Sequence, residues 1–577
     1  MLGEVYSRGV NDSPPSPAAG GRQVDDIAEQ FVEDWAALSP LTATYVGIAG
    51  HESELPDLTL DGYAAREELM SRALSAMRSA DAPDDRARAA QASFVERLTV
   101  SLEEYAAMTP QSQVSVVESE LHTLRSAFDL MSTDGEQAWA AIDARLSGLP
   151  AALADYRQTL LRCADGGHVS ARRQLAAVAG QIRLWTGENG TSGNVFVSLV
   201  SRAAVPDTLK RRLETSASAA TAAYTDFAGF LERDLVPRGR DRDAVGRERY
   251  EPASRSFLGA TVDLDETYAW GWEELRRIED EMQRVARRIV SSGTVPDAIE
   301  ALDAEPDRVI EGKERFRDWM QELADTTIRE LADVHFDIPE PVRRIECCLA
   351  PTSDGAIYYT GPSEDWSRPG RMWWAVPEGV DQFSTWQEVT TVYHEGVPGH
   401  HLQVAQTAYR KERLNRWQRT MCWVSGHGEG WALYAERLMD DLGYLEDPGH
   451  KLGMLDGQSL RAARVIVDIG MHLELEIPSD NPFGFAPGRT WTPELGLDFL
   501  RQHCRLDDAV IRFEHLRYLG WPGQAPSYKV GERIWLQARD EVRARQGTGF
   551  DLREFHRAAL DLGSIGLDPL REALARL

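Results

Sequence analysis

The stretch "YHEGVPGHHLQ" (393–403) decides how the rest of the chain is read. It begins as a zinc-peptidase helix begins. That signature, H-E-x-x-H, sets two histidines one helical turn apart with a glutamate beside the first. Here His394 and Glu395 are in place, but position 398 is Pro398, and the next histidines are His400 and His401. On an ideal helix of about 100° per residue, His400 would sit roughly 120° round the axis from His394, while His401 would share its face roughly 10 Å further along. One zinc ion needs its nitrogens within about 2.1 Å, so a straight helix serves neither. A proline inside a helix removes one backbone hydrogen bond and clashes with the carbonyl four residues back, here that of His394. Gly396 and Gly399 tolerate the distortion. If the turn loops out by two residues, His400 takes the phase of an i+4 partner. His401 stays open as the alternative, and so does a helix end with both imidazoles on the surface.

A third donor is available downstream. "SGHGEGWALYAERLMDDLGY" (425–444) opens with small residues and then turns amphipathic, with Trp431, Tyr434, Ala435, Leu438 and Leu442 as an apolar stripe. Glu429, Glu436 and Asp440 fall on another face. A glutamate from a following helix completes a His, His, Glu zinc set. Gly428 and Gly430 favour Glu429 by permitting close approach, and Glu436, two turns on, could orient a ligand histidine. The alternative is a solvated acidic face. Upstream, "AIYYTG" (356–361) and "RMWWAVPEG" (371–379) read as two strands of a small sheet at about 345–377. Tyr358, Tyr359, Trp373 and Trp374 could line a cleft whose strand edge pairs with an extended peptide; core packing is their other fate.

Two further groups carry candidate chemistry. "RVIVDIGMH" (464–472) spaces Arg464, Asp468 and His472 four residues apart. Asp468 could bridge both neighbours and fix the imidazole tautomer for a catalytic role, or the three could form a structural ladder. Lys529, one of five lysines against 58 arginines, and Arg517 are candidates for a substrate carboxylate.

The 577 residues suffice for more than one core. Residues 1–22, rich in Pro, Ser and Gly, read as a disordered tail and not a secretory signal. Helical periodicity marks an N-terminal lobe over 23–250 and a metal-binding catalytic lobe, with the small sheet, over 251–577. Within the latter, "VDLDETYAWGWEELRRIEDEMQRVARRIVSSG" (262–293) reads as one long amphipathic helix. There is no run of about 18 apolar residues, so no membrane span is expected. A net charge of −29 argues against nucleic acid and anionic membranes as partners. The five scattered cysteines lack thiolate-zinc spacing and suit a reduced, cytoplasmic protein. No nucleophile elbow, P-loop or dinucleotide fingerprint is present.

Three ordered blocks carry a resemblance: "HEGVPGHHLQ" (394–403), "EGWALYAE" (429–436) and "PGQAPSYKVG" (522–531). From about residue 25 onward the chain resembles the bacterial family catalogued as domain of unknown function 885. That family is similar in turn to the helical gluzincin zinc peptidases of the carboxypeptidase Taq, thimet oligopeptidase and angiotensin-converting enzyme groups. The resemblance implies a mostly α, two-lobed helical zincin-like fold, with a deep channel and a small β-sheet next to the active-site helix. It implies one zinc ion on His394, His400 and Glu429, Glu395 as base, and Tyr528 as the late tyrosine that donates to an oxyanion. His401 and Gln403 belong to the first block and are expected around the metal or substrate. The Pro-Gly insertion is a departure from the gluzincin pattern. The function expected is a zinc-dependent metallohydrolase, a peptidase cleaving peptide or amide bonds of small substrates. The alternatives are a metal-dependent, non-hydrolytic enzyme on a small metabolite and a non-catalytic helical binding protein with a degraded site. The sequence says nothing of oligomeric state.

Overall fold

The computed structural model describes residues 19–188, 193–350, 357–363 and 365–577. The expected N-terminal tail falls outside these up to residue 18, and its last four residues begin the helix Ala19–Leu38. The described chain is mostly helical. Local chemistry sets the helix starts. Thr59 accepts from Gly62 N–H to open Leu60–Ser79, and Asp84 accepts from Ala87 N–H to open Asp85–Ala106. These two helices pack with Ala19–Leu38 around Val24, Phe31, Phe94 and Leu98, a core that also takes in Trp417 from far along the chain. A second core joins Gly135–Asp165 to Asp207–Phe230 through Ile142, Leu146, Tyr156, Leu213 and Tyr224. A third, running from Tyr250 to Leu574, carries the candidate site.

The elements that build that site are α1 (Leu264–Ile289), β1 (Val309–Glu311), α2 (Lys313–Leu331), β2 (Ile345–Leu349), β3 (Ile357–Thr360), β4 (Gly370–Trp374), β5 (Gln382–Ser384), α3 (Thr385–Glu395), α4 (His400–Tyr409), α5 (Ser425–Asp441), α6 (Pro448–Leu473) and α7 (Ser527–Gln546). Helix α1 starts at its Asp263 cap and stops at Ile289, four residues short of the Gly293 end expected, because Val290 is extended. The aromatic runs form β3 and β4. Strand β4 is central, antiparallel to β3 and parallel to β2. The β1–β5 pair, Val309 opposite Ser384, lies outside the expected sheet and leads directly into α3.

The helix after β5 is not one rod with an inserted turn, as the sequence suggested. It is two helices, α3 and α4, separated by residues 396–399, with a cis peptide between Val397 and Pro398. The break satisfies its own backbone: Gly399 N–H donates to Tyr393 O at 3.0 Å and His401 N–H to Gly396 O at 3.0 Å. Trp431 of α5 adds its indole N–H to Pro398 O at 2.9 Å. A Cβ on Gly399 would lie 1.9 Å from His394 O, and one on Gly396 2.5 Å from Val392 O, so neither position has room for a side chain. Helix α5 crosses α7 at another such contact, where a Cβ on Gly430 would lie 2.5 Å from the Gly531 carbonyl carbon. Helix α6 meets α3 where a Cβ on Gly453 would lie 2.5 Å from Trp386 O. Among the described residues no helix is long and apolar enough to cross a membrane.

Gly399→Ala is expected to destabilise the fold by about 1–3 kcal/mol, the usual penalty for forcing an extra carbon into a packed site. Chemical denaturation measures it; an unchanged midpoint would show that the break yields without strain.

Candidate metal centre

The break turns His400 back toward His394. Their rings lie 4.8 Å apart and nearly perpendicular at 89°. Glu429, from the first turns of α5, completes the group: its Oε2 is 3.4 Å from His394 Nε2 and 3.4 Å from His400 Nε2. All three donor atoms lie within 4.8 Å of one another. Two donors each about 2.1 Å from one tetrahedral ion lie about 3.4 Å apart. That spacing exceeds the roughly 2.7–3.2 Å of N–H···O hydrogen bonds, so the donors surround a space of cation size more closely than they bond each other. Two imidazoles and one carboxylate are a donor set that suits zinc.

The other nitrogen of His394 fixes its tautomer. Its Nδ1–H donates to Glu436 Oε1 at 2.7 Å, and Glu436 Oε2 accepts from the Thr390 hydroxyl at 2.6 Å. The Nε2 lone pair therefore faces Glu429 and His400. Burial disfavours a charged His394, yet the Glu429 and Glu436 carboxylates outweigh it and raise its pKa to about 10. A cation between the donors would take over the role of that proton. Glu395 is buried beside them, with one carboxylate oxygen lacking a hydrogen-bond partner, and burial pushes its pKa up from the ordinary glutamate value. His394, Glu395, His400, Glu429 and Tyr528 all face one cavity of about 860 Å³. Arg464 lies over the Tyr528 ring at 4.9 Å, and burial raises the phenol's pKa.

Several expected roles are corrected by placement. His401 points away from the centre: Nε2–H donates to Val342 O at 2.7 Å and Nδ1 takes the Tyr359 hydroxyl at 2.9 Å. Of the two histidines open as second donor, His400 is therefore the one that converges. Gln403 is also buried, and its amide reaches His427 at 3.0 Å. His472 is fully buried outside the cavity, donating to Tyr518 O at 2.9 Å, with Asp468 3.9 Å away. Asp468 bridges neither helical neighbour; its Oδ2 accepts from Tyr250 at 2.6 Å and from Gly523 N–H at 2.8 Å. Neither residue lines the cavity, so His472 leaves the catalytic set and Asp468 loses its supporting role there. Arg464 does face it, but its guanidinium is held by Tyr518 at 2.7 Å and Glu514 at 2.6 Å.

Lys529 is buried and paired with Glu532 at 2.5 Å, Glu274 at 3.0 Å and Gln458, so it is no carboxylate receptor. Arg517 lines a second cavity of about 500 Å³ that shares Trp423, Glu429 and Tyr528 with the first, and it bonds Glu514 at 2.9 Å and Gln524 at 2.6 Å. Tyr358 and Tyr359 do line the main cavity, whereas Trp373 bonds Thr360 at 2.9 Å and Trp374 packs edge-on against Phe316. Three contributors are absent from the sequence-based set. Thr390 precedes His394 by one turn, a spacing that offers a signal. Glu388, half-buried on the cavity wall with its pKa raised to about 7 by desolvation, precedes Glu395 by seven residues, a spacing that also offers a signal. Trp423, 6.1 Å from the His400 ring, gives no signal.

Comparison with known proteins now bears on the chain as a whole. The model of the family described as "Bacterial protein of unknown function (DUF885)" matches residues 40–574, and the chain belongs to that family. No curated protein matches it. A crystal structure described as "the putative lipoprotein from Colwellia psychrerythraea" superposes with a TM-score of 0.82 at 22% identity, covering 97% of this chain and 99% of that one. A second, "a putative lipoprotein of unknown function from Shewanella oneidensis", gives 0.71 at 16% identity, covering 95% and 99%. At these identities the likeness establishes a shared fold.

Two outcomes follow from the geometry. Glu436→Gln is expected to weaken zinc binding about 10–100-fold, read by competition with a chelator; unaltered affinity would detach Glu436 from the centre. Lys529→Met is expected to cost about 3–5 kcal/mol by stranding its buried partners, with zinc stoichiometry of the folded fraction unchanged.

Proposed function

We propose, with membership of this family of unknown function as the premise, that the protein is a zinc-dependent metallohydrolase cleaving peptide or amide bonds of small substrates. One observation carries the reading: His394 Nε2 and His400 Nε2 each stand 3.4 Å from Glu429 Oε2, with Glu395 beside them in the same cavity. Kinship with the helical gluzincin peptidases, including two lobes about a channel, is part of this reading and rests on the donor set.

A zinc ion held by His394, His400 and Glu429 would supply Lewis acidity and a nucleophile at neutral pH. Glu395 takes the proton of the attacking water and delivers it to the leaving nitrogen as the C–N bond breaks. The Tyr528 hydroxyl donates to the carbonyl oxygen as negative charge develops there, with Arg464 holding the ring from above. Strand β3 has β4 as its hydrogen-bonded neighbour and lines the cavity with Ile357, Tyr358 and Tyr359, which gives an extended peptide an edge to pair with. A cytoplasmic location rests on the five unpaired cysteines, four of them buried.

The test is Glu395→Gln on a peptide library. Cleavage is expected to fall about 10²–10⁴-fold with one zinc per chain retained. A wild-type protein that holds zinc yet cuts no peptide would replace this reading with a non-hydrolytic one, and a protein that takes up no zinc would leave only binding.

A further inference from the structure

With Lys529 and Arg517 committed elsewhere, the cavity's recognition of substrate charge falls to other side chains. Helix α6 presents one face to the cavity through Gly453, Asp456, Gly457, Leu460, Arg461 and Arg464. These positions follow the three- and four-residue spacing of a single helical stripe. The arginines on these walls are not equivalent. Arg464 is tied to Glu514, and Arg505 to Asp456 at 2.9 Å. Arg461 makes one hydrogen bond, from Nη1 to Gly457 O of its own helix at 3.1 Å. Its Nε is shielded from solvent and has no partner, and no carboxylate among the described residues is in ion-pair contact with it. A Cβ at position 457 would lie 2.8 Å from Arg461 Nη1, so the bare glycine leaves the space in which the guanidinium lies along the helix.

Arg461 is half-buried with no carboxylate among the described residues in direct contact, and its planar fork matches a carboxylate in a two-point contact. Arg461 lines the same cavity as Glu395 and Tyr528, and its charge also acts on the Asp456 carboxyl in that wall. We infer that Arg461 is the receptor for the free C-terminal carboxylate of a short peptide or peptide-like amide held in this cavity. The inference rests on the hydrolase reading and narrows it: the substrate ends inside the cavity, and the bond cut lies near that end. A cavity of about 860 Å³ agrees, since pockets of roughly 300–1,000 Å³ hold small-molecule ligands.

The test separates binding from cleavage. Zinc-loaded protein carrying Glu395→Gln, which prevents turnover, is titrated calorimetrically with trialanine and with trialanine amide. The carboxylate form is expected to bind at least tenfold more tightly. Adding Arg461→Gln should abolish that preference by weakening the carboxylate form alone, and Arg461→Lys, which keeps the charge but loses the fork, should restore part of it. If Arg461→Gln fails to fold, an intermediate loss confined to the carboxylate form in Arg461→Lys supports the assignment equally. Equal binding of the two peptides, binding of neither, or equal weakening of both by the Arg461 variants overturns the assignment. A protein that binds the carboxylate through Arg461 but cleaves nothing keeps this inference and loses the hydrolase. Equal kcat/KM for both peptides, with or without Arg461, does the reverse.

Discussion

The candidate centre depends on a helix that stops. Between Glu395 and His400 the chain abandons helical phase for residues 396–399, and that loss of phase lets two imidazoles six residues apart face one point. The break is over-determined. Gly399 and Gly396 approach carbonyls of α3 too closely for any side chain, and Trp431 satisfies the Pro398 carbonyl from another helix. A buried carbonyl without such a donor would be expensive. The indole in "EGWALYAE" and the Pro-Gly in "HEGVPGHHLQ" are thus halves of one hydrogen bond, and the spacing of the two blocks places Glu429 where the break has brought the histidines.

Buried charge occurs in two settings in this third core, one turned inward and one lining a cavity. Around Lys529, the ammonium meets Glu532, Glu274 and Gln458, while Arg277 holds Glu274 from the other side. Every one of those contacts turns inward and leaves little for a ligand. Around His394 the charges face a cavity, one Glu395 oxygen lacks a partner, and the three donors are spaced too widely to satisfy one another. Burying ionisable groups is costly in both places. Of the two, the second lines the cavity.

This contrast also explains what the sequence could and could not reveal. His394, Glu395 and the loss of helical phase after them are local, and proline and glycine announce such a break through backbone sterics alone. Glu429 and Glu436 were legible because seven residues on a helix return to nearly the same face. His401 was ambiguous because its fate depends on Val342 and Tyr359, which lie 59 and 42 residues away in the chain. The ladder of Arg464, Asp468 and His472 had the right period, but period does not say which neighbour a face meets; Asp468 found Tyr250 and Gly523 instead. The rarity of lysine drew attention to Lys529, although scarcity carries no information about burial. Arg461, one of 58 arginines, is marked out by lining the cavity with no carboxylate among the described residues in contact, and that is a three-dimensional property.

The clamp on His394 ties the centre to the packing of the whole core. Glu429 reaches its Nε2 side and Glu436 its Nδ1, so one helix, α5, addresses both nitrogens of one ring. The Cα positions of the two glutamates are about 10.5 Å apart along the helix axis, so their side chains lean toward each other to reach one ring. The distance of α5 from the rest of the core is set by the crossing with α7, where Gly426, Gly430 and Gly531 allow backbone to meet backbone. A methyl group at that crossing would push α5 outward and disturb both ends of the clamp at once. The absence of a side chain at these glycines, one of them next to Glu429 itself, is therefore part of what brings three donor atoms close together.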